Sequence, residues 1–187
     1  MIKAIITDFD GTLVDTYEAN LKAYQKAFCE CGKVLTPEAY KACFGLRYDA
    51  FMYQMGIIDI EIANFIRERK KRYYPLFFDC ICLNHALLGV IDAFHKTGGK
   101  TAIASTARKE NLMNVVKYLE IEGNFDCIIS GLDVIQGKPQ PEIYVKTMKH
   151  LCVMPSETLI FEDSDVGIQA AKASGANYIR VTSEWFR

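Results

Sequence analysis

The chain has 187 residues, half of them hydrophobic, with 22 Lys and Arg set against 23 Asp and Glu. That length and apolar content exclude a largely disordered chain and provide for one cored domain, with or without an insertion. A net charge of −1 gives no global attraction to nucleic acid or anionic membrane, and no run approaches the ~20 apolar residues of a membrane span.

Lys3–Phe9 is a short apolar run that reads as a buried parallel strand. Its single early lysine and the prompt arrival of Asp8 do not fit a signal peptide, so the expected protein is soluble and cytoplasmic. The next ~85 residues hold no convincing strand. Tyr17, Leu21, Tyr24 and Phe28 form one helical stripe there, and Ile62, Phe65, Ile66 and Tyr73 another, with Pro37, Gly45 and Gly56 punctuating the interval. A connection that long and helical reads as an inserted all-α domain over 14–82, leaving 1–13 and 83–187 as the core. Beyond it, apolar runs at Thr101–Ser105, Cys127–Ser130, Thr158–Phe161 and Tyr178–Val181 alternate with amphipathic helical faces. One face is Leu87, Leu88, Ile91 and Phe94, a second Leu112, Val115, Val116 and Leu119, and a third Tyr144, Met148 and Leu151. Such alternation predicts an α/β fold with a mostly parallel sheet flanked by helices.

The seven cysteines form C-x-C pairs (Cys29/Cys31, Cys80/Cys82) or stand alone. Neither is the C-x₂-C spacing of zinc knuckles, and their apolar neighbours predict small, buried, reduced thiols.

The chemistry-bearing residues cluster at strand ends. The first strand runs into Asp8-Phe-Asp10-Gly-Thr12, where alternation points Asp8 and Asp10 to the same side. Two carboxylates and a turn glycine there occupy the usual ligand position of an open α/β sheet. The bland alternative is a capping turn with two solvated aspartates, but three further pieces weigh against it. Ser105 closes the second core strand, Lys138 follows the third within Gly137-Lys-Pro-Gln-Pro-Glu142, and Glu162 and Asp163 close the fourth. Carboxylates bind Mg²⁺, while lysine and hydroxyl donors bind phosphate oxygens. Together they form a phosphoryl-transfer inventory.

In this order the motifs resemble the haloacid dehalogenase superfamily, within its phosphatase and β-phosphoglucomutase-like branch. The resemblance spans nearly the whole chain and implies a Rossmann-like core with a helical cap inserted after the first motif. It implies Asp8 as nucleophile and Asp10 as acid and base, with Lys138 offsetting charge and helping to bind phosphate. Thr12 and Ser105 would hold phosphate oxygens. Mg²⁺ would be held by Asp8, the Asp10 backbone carbonyl and Asp163, with Glu162 close by or ligating. The second acid, Asp10, argues for phosphate esters over dehalogenation. The implied reaction is hydrolysis of a small phosphorylated metabolite.

Relatives that act as phosphosugar mutases carry a cap histidine and a cap lysine. Asn20 stands at the histidine position and Leu76 where the lysine falls, so hydrolase leads and mutase is the alternative. Arg47 and Arg108 are candidate contacts to the rest of the substrate. The basic run Arg67, Arg69, Lys70, Lys71 and Arg72, broken by Glu68, reads as a solvated helix face. A catalytically dead scaffold is disfavoured because Asp8, Asp10, Lys138 and Asp163 are all present. A monomer or weak homodimer is expected.

Overall fold

The computed structural model describes residues 1–186; Arg187, the last residue of the expected core, lies outside them. The chain order is β1 (Ala4–Thr7), β2 (Val14–Asp15), α1 (Tyr17–Glu30), α2 (Pro37–Lys41), α3 (Tyr48–Gln54), α4 (Ile60–Tyr73), β3 (Cys82–Leu83), α5 (His85–Lys96) and β4 (Lys100–Ala104). It continues through α6 (Lys109–Tyr118), β5 (Cys127–Ile129), α7 (Glu142–Leu151), β6 (Thr158–Glu162), α8 (Asp165–Ala173) and β7 (Asn177–Arg180). Residues 1–15 with 82–186 make one compact unit, and Thr16–Ile81 another.

In the first unit, described residues form a five-stranded sheet in the order β5-β4-β1-β6-β7, with all pairs parallel. Strands after β1 step outward to one side (β4, β5) and then to the other (β6, β7). β1 therefore lies where the winding reverses, which is where open parallel sheets place ligands. Register sets the height of that edge. Thr7 is level with Ile103 of β4 and with Phe161 of β6, so Asp8, Ala104 and Glu162 end their strands together.

One face is closed by α7 and α8. Tyr144, Met148 and Leu151 and Ala170 and Ala171 pack on Ile6, Ala102, Ala104 and Ile160. Leu87 and Ile91 of α5 and Leu112, Val115 and Val116 of α6 are buried as their periodicity predicts. The expected α/β fold is therefore present, with strand ends shifted by one or two residues. β2 and β3, paired antiparallel through Val14–Leu83 and Asp15–Cys82, are not foreseen, because two-residue strands carry no periodicity. This ribbon places Val14, Asp15 and Cys82 with the sheet.

The second unit is helical. Leu21, Phe28, Tyr40, Phe51, Met52 and Ile66 share one core. Pro37 begins α2 behind the Thr36 cap, whose hydroxyl accepts the Ala39 amide at 3.2 Å, and Asp59 caps α4. The inward stripe of α4 differs from the expected one. Phe65 is 38% exposed, and Ile66, Lys70 and Tyr74 continue the buried face at steps of four. Lys70 is only 4% exposed, with Nζ 3.6 Å from the Tyr74 ring centroid and 5.3 Å from that of Tyr24. The solvated-face reading fails for it. Arg69 also pairs with Glu30 at 2.8 Å, and Arg67 lies over the Tyr48 ring.

All seven thiols are free, but Cys43 alone among them is fully buried, and Cys29, Cys82 and Cys152 are exposed. The expectation of small buried thiols is corrected to that extent: apolar neighbours in sequence do not bury a residue at a helix end, as at Cys29 and Cys152, or on a two-residue strand, as at Cys82. Among the described residues no helix is long and apolar enough to cross a membrane.

Candidate active site

Asp8 prolongs β1, its amide donating to the Phe161 carbonyl at 2.9 Å. The chain then turns tightly, with the amides of Leu13 and Val14 both directed at the Phe9 carbonyl (3.1 and 2.9 Å) and Gly11 donating to Val14 at 2.8 Å. Gly11 has φ +90°, and a Cβ there would stand 2.5 Å from Asp163 Oδ2. The turn thus needs glycine twice, for its backbone and for the carboxylate beside it. Thr12, next in the turn, donates its hydroxyl to Asp163 Oδ1 at 2.7 Å. Asn84 fastens the turn to α5: its Nδ2 donates to the Thr12 carbonyl (3.1 Å), while its Oδ1 caps the helix at the Leu87 amide (3.0 Å).

Ser105 follows β4 and donates to Asp10 Oδ2 at 3.5 Å while accepting the Ala107 amide at 3.0 Å. The turn after it is held to β5 by Gly131, whose amide donates to the Ala107 carbonyl at 3.0 Å. A Cβ on Gly131 would run into the Thr106 carbonyl. Lys138 donates to Asp8 Oδ1 at 2.5 Å and also to Glu162. The hydroxyl of Tyr144, a fully buried residue of α7, donates to Glu162 Oε1 at 3.0 Å, and Glu162 Oε2 accepts the amide and hydroxyl of Ser164 at 2.9 and 3.0 Å. Ser164 in turn caps α8 through the Gly167 amide. Arg180 holds the Asp163 carbonyl at 2.8 Å and Asp165 at 2.7 Å.

The charges are unbalanced. Burial pushes the Asp8 carboxyl well up, and the carboxylates of Glu162 and Asp163 add to this against the pull of Lys138. Burial also raises Asp163, in spite of the Thr12 hydrogen bond. Burial opposes charge on Lys138, yet the Asp8 and Glu162 carboxylates outweigh it and hold the ammonium protonated. Ligand atoms of Asp8, Glu162 and Asp163 lie within 4.8 Å of one another. Three carboxylates against one lysine, all oxygen donors, fit a hard divalent cation.

Asp8, Asp10, Thr12, Ser105, Lys138, Glu162 and Asp163 thus meet at one edge of one sheet. The other expected contacts are placed differently. Arg108 is exposed at the start of α6. Asn20 and Arg47 belong to the helical unit, where Asn20 is buried and donates to the Thr16 carbonyl at 3.1 Å and the Tyr74 hydroxyl at 3.4 Å. Leu76 is 63% exposed. The buried lysine of that unit is Lys70, six residues earlier.

A family profile described as haloacid dehalogenase-like hydrolase matches residues 5–181. The chain belongs to that family. Among relatives of this haloacid dehalogenase-like hydrolase, a phosphorylated carbohydrates phosphatase of Thermotoga maritima is 29% identical over 184 residues, covering 95% of this chain and 84% of the relative. A fructose-1-phosphate phosphatase of Escherichia coli is 25% identical over 187 residues, with 95% of each chain covered. In structure, the protein CbbY of Rhodobacter sphaeroides, solved in complex with phosphate, superposes with a TM-score of 0.89 at 25% identity over all of this chain and 89% of that one.

Three supporting residues of this hydrolase carry no sequence signal of their own. Tyr144 reads as a core aromatic and Arg180 as part of a strand, and the sequence singles out nothing at Asn84. Only register and helix packing bring them to the acids.

Proposed function

We propose that this hydrolase is a phosphatase of small phosphorylated carbohydrates that uses Mg²⁺ and forms an aspartyl-phosphate on Asp8. The observation that carries the reading is the Lys138 ammonium 2.5 Å from Asp8 Oδ1 amid converging carboxylates. The sugar-phosphate phosphatases among its relatives support it.

Asp8 attacks phosphorus in line with the ester oxygen, the phosphorus–ester oxygen bond breaks, and Asp10 gives its proton to that departing oxygen. Asp10, now ionised, takes a proton from a water that attacks the aspartyl-phosphate, releasing phosphate and freeing Asp8. Lys138 offsets the charge shared by Asp8 and the phosphoryl group, and Thr12 and Ser105 orient its oxygens. Asp8, Asp163 and the Asp10 carbonyl would hold Mg²⁺, which would supply charge neutralisation at the phosphoryl oxygens. Glu162 serves first as the acceptor that keeps Lys138 in place.

The helical unit acts as a cap that selects the substrate, and Asn20, Lys70 and Arg47 are its candidate selecting groups. Asn20 has no titratable proton to exchange with a sugar hydroxyl, which favours hydrolysis over mutase chemistry.

The test is phosphate release from a panel of sugar phosphates, with and without Mg²⁺, using Asp8→Asn as control. Release that needs both Mg²⁺ and Asp8 is expected. Turnover by Asp8→Asn at the parent rate would remove the nucleophile assignment.

A further inference from the structure

Lys138 is not carried by a helix or a strand. It stands in the connection 130–141 between β5 and α7, and a loop of that length does not by itself fix an ammonium to within the fraction of an ångström that chemistry needs. Glu142, the first residue of α7, turns its carboxylate back onto this loop. Its Oε1 accepts the Ile135 amide at 2.9 Å and its Oε2 the Gln136 amide at 2.7 Å. These two bonds close a ring over 135–142 with Lys138 inside it. Within that ring the Gln140 amide donates to the Gly137 carbonyl at 3.0 Å. The anchor is firm on the helix side, because the adjoining Ile143 and Tyr144 are fully buried. A carboxylate in the first turn of a helix is further stabilised by the positive end of the helix dipole.

We propose that Glu142 is the positioning residue for Lys138: its two-pronged hold on the 135–136 backbone shapes the loop so that the ammonium meets Asp8. The kinetic side of this inference rests on the phosphatase reading above; the structural side rests on the geometry alone.

The experiment pairs amide hydrogen exchange over 131–141 with steady-state phosphate release from p-nitrophenyl phosphate and fructose 1-phosphate in Mg²⁺. Both are measured on the full chain, Glu142→Ala and Glu142→Gln. In Glu142→Ala, exchange over the loop is expected to rise about tenfold or more while the sheet stays protected. Its kcat should fall ~10- to 100-fold with a smaller rise in KM, since Thr12 and Ser105 still hold the phosphate oxygens and only the lysine is misplaced. Glu142→Gln keeps one carbonyl acceptor and should recover part of the loss. A parent kcat in Glu142→Ala overturns the proposal, as does a kcat loss accompanied by lost protection across the sheet. If the parent chain releases no phosphate from either ester, the phosphatase reading fails for those esters. The exchange arm still decides the strap, because unchanged loop exchange in Glu142→Ala overturns it.

Discussion

Lys138 and Glu162 form an ion pair that solvent does not reach, their side chains being 4% and 0% exposed. Burying two charges costs several kcal/mol each, and the cost is offset only while both partners and their remaining hydrogen bonds are in place. Here they are: Tyr144 and Ser164 take the other lone pairs of Glu162, and Asp8 takes the other side of Lys138. Glu162→Gln removes the charge and keeps the shape. It should cost ~1–3 kcal/mol of stability for the charge-assisted hydrogen bonds it weakens while Asp8 still pairs with Lys138, lowering the thermal midpoint by several degrees for a chain of this size. It should also reduce kcat by about 100-fold or more, because Lys138 then answers to Asp8 alone. Calorimetry together with the phosphate assay checks both, and a variant as stable and active as the parent would refute the role of the pair.

Gly11 is the point where the backbone and Asp163, a proposed metal ligand, constrain each other. Its φ of +90° costs a non-glycine residue ~1–2 kcal/mol, and an added Cβ displaces the Asp163 carboxylate, which Thr12 otherwise holds at 2.7 Å. Gly11→Ala should therefore weaken Mg²⁺ binding about tenfold or more, in keeping with what disturbed ligand orientation costs elsewhere. Isothermal titration with Mg²⁺ reads this without substrate. An unchanged affinity would show that Asp163 does not need its present position.

What the sequence disclosed, and what it hid, follows the physics of each element. The parallel strands are legible because strands buried on both faces are plain apolar runs, and the residues just past such runs are the ones a switch-point sheet gathers. Asp8, Ser105 and Glu162 are candidates for that reason, and the Thr7–Ile103 and Thr7–Phe161 register brings Asp8 level with Glu162 and sets Ser105 one residue beyond. Lys138 is legible only through its motif, since no periodicity fixes a loop. Tyr144 is hidden because a core tyrosine and one hydrogen-bonded to a buried carboxylate have the same spacing on a helix. Lys70 is hidden by its neighbours: composition makes 67–72 a charged run, whereas its distance of four from both Ile66 and Tyr74 puts it inside.

Lys70 offers a way to separate substrate selection from packing. Its ammonium lies 3.6 Å from the Tyr74 ring centroid and 5.3 Å from that of Tyr24, contacts that contribute up to about 2 kcal/mol when desolvated. Lys70→Met keeps the length of the side chain and removes the charge. Its thermal midpoint should fall by a few degrees at most, in line with the lost ring contacts, while turnover of the preferred sugar phosphate should fall about tenfold. Melting curves and steady-state kinetics are the measurements. A large loss of stability with unaltered kcat/KM would make Lys70 a packing residue and remove it from the selecting groups.

Asp133 secures the other end of the Lys138 loop, and its effect on stability depends on pH with a definite sign. Its Oδ2 accepts the amide and the hydroxyl of Ser130 at 2.8 and 2.7 Å, and Lys146 donates to its carbonyl. Partial burial pushes the carboxyl up, but the Ser130 hydrogen bonds and the charges of Lys109 and Lys146 outweigh it and leave the pKa below the ordinary 3.8. A carboxyl lowered on folding stabilises the native state fully above its unfolded pKa, and that stabilisation drains away as pH falls through the folded value. Asp133→Asn retains an acceptor oxygen and loses the charge. At pH 7 it should melt a few degrees below the parent, in line with ~1 kcal/mol for weakened charge-assisted hydrogen bonds. The gap should hold down to about pH 5, start to narrow near pH 4 and close as the pH falls through the parent's lowered carboxyl value. Melting curves from pH 7 to pH 3 decide it: a gap that widens toward acid would mean that Asp133 is not the lowered carboxylate of this loop.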